Sequence, residues 1–133
     1  MRVSVYRNLH KKCYSVVCME PGPQRGRVIH HCADIDLQDA RFVVQPAGWQ
    51  KVRAGGPKNV HAFVRGDWYG VLNPDIDTRL KVSYNPRNPD RGPYFYVQGK
   101  PALGAGFVRL APEGVTASYV EFKQEKEGDF LPF

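Results

Sequence analysis

The sequence predicts a mainly β protein: a single small domain, an antiparallel barrel or strongly curved sheet, with one short helix. Three observations carry this. Short stretches alternating apolar and polar residues, rich in Val, Tyr and Phe, recur along the chain. The 11 Pro and 13 Gly gather between them, where they supply turn dihedrals. At 133 residues and 42% hydrophobic content there is material for one core, and no composition break marks a second.

In chain order, Val3–Tyr6 and Cys13–Cys18 alternate as strands across a basic connection. Glu20-Pro21-Gly22-Pro23-Gln24-Arg25-Gly26 is a hairpin-type loop, and Arg27–His31 is the return strand. Ile35–Leu37 and Ala40–Val44 form another pair or one bulged strand. Pro46–Arg53 is the helix, with Pro46 suited to its first turn and Gly55-Gly56 to its stop. Val60–Val64 and Trp68–Leu72 are strands meeting across a turn at Arg65-Gly66-Asp67. Asn73–Asp77 is a loop, Leu80–Tyr84 alternates cleanly, and Asn85–Pro93 is the longest turn-rich stretch. Tyr94–Val97, Phe107–Leu110 and Thr116–Phe122 close the domain, spanning residues 1–122. Residues 123–133 are a tail of mixed charge, whose Phe130, Leu131 and Phe133 could dock on a partner.

Charge narrows the ligand class. The net charge is +6; residues 1–66 hold eleven Lys/Arg against four Asp/Glu, residues 67–133 eight against nine. The basic first half favours anionic partners. No apolar run approaches the roughly 20 residues of a membrane helix, and no signal core opens the chain, so a cytoplasmic protein is expected. Cys13, Cys18 and Cys32 are an odd set, which argues against a disulfide framework. His30 and His31, adjacent on a strand, point to opposite faces and cannot share a metal. Asp34, Asp36, Asp39, Asp75 and Asp77 lack the glycine and closing glutamate of a calcium loop and read as solvated turn residues. No metal or cofactor is expected. The chain has no phosphate-binding glycine loop, dinucleotide fingerprint or nucleophile elbow, which disfavours the familiar nucleotide hydrolases, oxidoreductases and serine hydrolases.

Two basic segments with aromatic neighbours stand out: Tyr6-Arg7-Asn8-Leu9-His10-Lys11-Lys12 and Lys58-Asn59-Val60-His61-Ala62-Phe63-Val64-Arg65. Cations hold a phosphate by charge and hydrogen bonds while a ring stacks on a base. On a strand, His61, Phe63 and Arg65 share one face while Val60, Ala62 and Val64 fill the core. Arg87 and Arg91, between Tyr84 and the aromatic run from Tyr94, repeat the combination. The expected ligand-binding set is therefore Tyr6, Arg7, His10, Lys11, Lys58, His61, Phe63, Arg65, Tyr84, Arg87 and Arg91, with Arg7, His10, Lys11, Lys58, His61 and Arg65 on one surface. The enzymatic alternative is a metal-independent ribonuclease in which His10 and His61 move protons and the cations, Lys12 included, stabilise the phosphorane.

The segments Tyr6–Val16 and Lys58–Val64, with Gly26-Arg27-Val28, His31, Ala40–Val44 and Val82-Ser83-Tyr84-Asn85-Pro86, resemble a family of small, largely uncharacterised accessory proteins of phages and prophages. The resemblance spans about residues 1–110 and brings no catalytic residue with it. It implies a compact protein working inside a bacterial cell by binding rather than turnover. Together with the basic segments it gives the expectation of a non-enzymatic protein that captures a nucleotide signal or nucleic acid and inhibits host defence. The further partners it implies are a host defence protein and a second copy of the chain.

Overall fold

The protein, seen here as a computed structural model, is described over residues 1–45, 62–84 and 95–122. β1 (Arg2–Asn8) and β2 (Cys13–Cys18) make a hairpin. Its turn depends on Lys12 at φ 56° and on Asn8 Oδ1, which accepts the Lys11 N–H at 3.0 Å. β3 (Val28–Cys32) adds to β2, and β4 (Ile35–Val44) is one long strand. β4 bends at a bulge between Gln38 and Arg41, with Asp39 at φ 50°. β5 (Ala62–Asp67), β6 (Leu80–Tyr84), β7 (Phe95–Val97), β8 (Lys100–Ala111) and β9 (Gly114–Phe122) follow.

All the pairings are antiparallel, in the order β3-β2-β1-β5-β4-β8-β7-β6-β9. β9 also returns to β8, so β8, β7, β6 and β9 close a four-stranded barrel. β8 is long enough to serve both parts. Its start pairs with β7, and residues from Gly104 onward pair with β4, from which β5, β1, β2 and β3 extend as a curved sheet. The inner face of that sheet, with Val3, Val5, Val16 and Val64 fully buried, shares one core with Val97, Val108 and Leu110 of the barrel. Phe42 on β4 stacks on Phe95 of β7, with centroids 4.8 Å apart. Among the described residues there is no helix, and none long and apolar enough to cross a membrane. The expected helix at 46–53 lies outside the described residues.

Arg65-Gly66-Asp67 is the end of β5 rather than a turn, and Trp68–Leu72 is loop rather than strand. Gly66 is present for close approach: a Cβ there would meet Leu37 Cβ at 2.9 Å and the Gln38 carbonyl at 3.1 Å, against the β4 bulge. β8 starts at Lys100, seven residues before the alternating stretch at Phe107–Leu110, because Pro101, Gly104 and Gly106 obscure the strand pattern.

One side chain ties barrel to sheet. The ladder between β1 and β5 runs from Arg2↔Asp67 to Val5↔Val64. Two residues on, the Arg7 N–H and Ala62 carbonyl would be the next bonded groups. The Tyr84 hydroxyl stands between them instead: it accepts from the Arg7 N–H at 3.0 Å and donates to the Ala62 carbonyl at 3.1 Å. Burial holds this hydroxyl well above the ordinary tyrosine range, outweighing the opposite pull of the Arg7 hydrogen bond.

Tyr84→Phe leaves both backbone groups without their partner and should cost about 2–4 kcal/mol in urea unfolding. The Tyr84 value is raised in the folded state, so its contribution is complete below about pH 10 and is lost as pH climbs through the folded value. The wild type should therefore lose stability above pH 10 more steeply than Tyr84→Phe. Parallel alkaline profiles would show that the hydroxyl is not held in this way.

Candidate functional site

Alternation sends Arg2, Ser4, Tyr6 and Asn8 of β1 to the outer face of the curved sheet, together with Phe63, Arg65 and Asp67 of β5 and Arg41 and Val43 of β4. Register arranges them in rows. Arg2 faces Asp67 with 3.6 Å between the charged atoms, and Ser4 faces Arg65. Tyr6 meets Phe63 edge to face at 5.8 Å, with Val43 on the far side of Phe63.

In the middle row, Arg65 lies directly opposite Arg41 across β5 and β4. Like charges facing each other in a sheet are unfavourable. Arg65 Nε is buried without a hydrogen-bond partner. Arg41 Nη1 instead reaches Glu121 Oε2 on β9 at 2.9 Å. The route crosses β8 at Gly104, which faces both Arg41 and Glu121. A Cβ on Gly104 would crowd the Ala40 carbonyl and meet Arg41 Cδ at 3.2 Å.

Of the expected set, Tyr6, Phe63 and Arg65 come together on this face. Arg7 and Tyr84 do not: they lie on the inner side of the sheet, at a cleft by the β8–β9 turn. His10 and Lys11 are exposed in the β1–β2 turn. Lys58, His61, Arg87 and Arg91 lie outside the described residues, so the His10–His61 pair has no described geometry. The expected single surface is thus divided by the sheet between Arg7 and Arg65.

Further along the outer face, the Ser15 hydroxyl is fully buried, 3.2 Å from Asn8 Nδ2, which donates to it, and 3.1 Å from His31 Nδ1. Enclosed like this, the hydroxyl pins β1, β2 and β3 and offers no nucleophile to a substrate. His30 points the other way, stacked on Trp68 at 5.3 Å. Asp36 is not a solvated turn residue: it is buried in β4, and its carboxylate takes both Arg109 Nε at 2.6 Å and Nη2 at 2.7 Å. The Asn73 N–H also donates to Asp36, and Arg109 donates to the Asn73 carbonyl, which anchors the 68–79 loop. Sequence reading missed Arg41 and Glu121 as members of the site. The alternation of Arg41-Phe42-Val43 gives the face of Arg41, but its neighbours come from β5 and β9, far along the chain.

The family model described as Mycobacterium phage L5 gene 82 protein matches residues 1–118, which include eight of the strands and the start of β9. The chain belongs to this phage protein family. The gene 82 protein of Mycobacterium phage L5 is 40% identical over 124 residues, covering 89% of this chain and 96% of that protein. No solved structure matches. The family identifies a phage protein.

Gly104→Ala should cost about 1–3 kcal/mol, because backbone and the Arg41 stem cannot both move aside. Glu121→Ala should change stability by less than about 1 kcal/mol, since its ion pair with Arg41 is more than half exposed on both sides. Urea midpoints at unchanged slope would check the contrast.

Proposed function

We propose that this phage protein binds, without chemical turnover, a ligand that combines a phosphate with a base, on the outer face of β1, β5 and β4. The observation that carries the reading is the opposition of Arg41 and Arg65, one row from the Tyr6–Phe63 pair. Two arginines opposite each other on paired strands are relieved by a shared anion, which would draw Arg41 from its exposed ion pair with Glu121, and a phosphate accepts from both. Phe63 and Tyr6 offer aromatic surface one residue pair away, the spacing of a base from its own phosphate. The excess of cations in residues 1–66 draws such a ligand toward this half of the chain. In an infected cell, capture of this kind would withdraw a host nucleotide signal or cover a nucleic acid strand, and inhibition of host defence is the role that fits it.

Mass spectrometry of small molecules released by denaturing the purified protein distinguishes the two sources. A free nucleotide should be recovered intact and near one per binding site. If the ligand is single-stranded nucleic acid, affinity for a short oligonucleotide should fall with salt at a slope of about −0.7 per phosphate contacted. Arg41→Ala with Arg65→Ala should flatten that slope by about one to two phosphate equivalents, or weaken nucleotide binding roughly 100-fold. A protein that releases no nucleotide and binds no oligonucleotide at low salt would sink the reading, as would wild-type affinity in the double variant.

A further inference from the structure

We infer that the cleft on the inner side of β1 is a second, separate site, built for a small carboxylate. Arg7 lines it, its guanidinium carbon 4.9 Å from the centre of the Tyr14 ring. Its Nη1 is buried and makes no hydrogen bond, and among the described residues no carboxylate lies within ion-pairing distance of it. A guanidinium in this position is strongly held for an anion, because a buried charged donor is costly to leave unpaired.

The other walls decide which anion. Val82, Val115 and Tyr14 are almost fully buried and only close its floor, so the surface a ligand meets is mainly polar. Both phenol hydroxyls are already committed, Tyr14 donating to the Ala111 carbonyl at 2.8 Å and Tyr84 to that of Ala62, so neither is left to donate to a ligand. A phosphate dianion would find one cationic fork and a repelling neighbour, Glu113. A carboxylate carries a single charge and matches the planar fork of one arginine. The cleft measures about 190 Å³, below the range of about 300–1,000 Å³ usual for larger ligands, which limits the occupant to the size of an amino-acid derivative or a chain terminus.

The site shares no residue with the outer face, so its test stands apart from that of phosphate capture. The probes are N-acetylglycine, its amide and inorganic phosphate, titrated against the full chain while the amide resonances of Arg7, Tyr84, Glu113 and Val115 are followed. The acid should shift these four saturably, and the amide should bind at least about tenfold more weakly, since it cannot accept two charge-assisted bonds. Arg7→Lys should weaken the acid about tenfold by losing the fork, whereas Arg79→Ala, which removes an exposed cation elsewhere, should leave it unchanged. Glu113→Gln should tighten it about threefold by removing a like charge. Equal binding of acid and amide overturns the inference, as does the absence of saturable shifts or preferential saturation by phosphate. The acid–amide comparison is made on the wild type, so it stands even if the Arg7 variant folds poorly.

Discussion

The Tyr84 hydroxyl is the joint on which the architecture turns. A closed four-stranded barrel and a six-stranded curved sheet share β8 as a common strand, but one shared strand would leave the far end of the sheet free to open. Tyr84 comes from β6, inside the barrel, and replaces a ladder hydrogen bond between β1 and β5 with two of its own. The seam between those strands therefore opens without leaving either backbone group unpaired. Its ring packs on Phe95, 5.0 Å away, which in turn stacks on Phe42, so the same residue joins the polar bridge to the apolar core. A buried network of this kind is stabilising only when every member is satisfied, which makes it sensitive to removal of a single oxygen atom.

The sheet held in this way has two unlike sides. Its outer face brings Arg41 against Arg65 beside two aromatic rings, and its inner face places Arg7 over Tyr14 in a cleft. One arginine atom on each side is buried without a partner. Such atoms are rare in native proteins, and each calls for an explanation. Arg109 shows the satisfied case, with three hydrogen bonds to Asp36 and the Asn73 carbonyl. The orphaned donors at Arg7 and Arg65 contrast with that arrangement, and a bound anion would satisfy each of them.

Much of the β content was legible because alternation is local. Cys13–Cys18, Leu80–Tyr84 and the Ala62/Val64 against Phe63/Arg65 split of β5 follow from period-two patterning alone. The bulged form of β4 was one of the two readings its sequence allowed. Where local signals misled, a tertiary contact had overridden them. Gly66 and Gly104 have the composition of turns, yet both lie within strands, because another segment's backbone passes too close for a side chain.

The sequence by itself determined the β class, the basic character of the first half and which residues within a strand such as β5 share a face. It did so because side-chain direction and charge are properties of neighbouring residues. Tertiary structure decided which faces meet. Arg7 and Arg65 belong to similar basic segments, but the parity of their positions on paired strands puts a sheet between them. Arg41 and Glu121, eighty residues apart, become partners because Gly104 leaves a path across β8. Register between distant strands is set by the packing of the whole core, and no short stretch of the chain contains it.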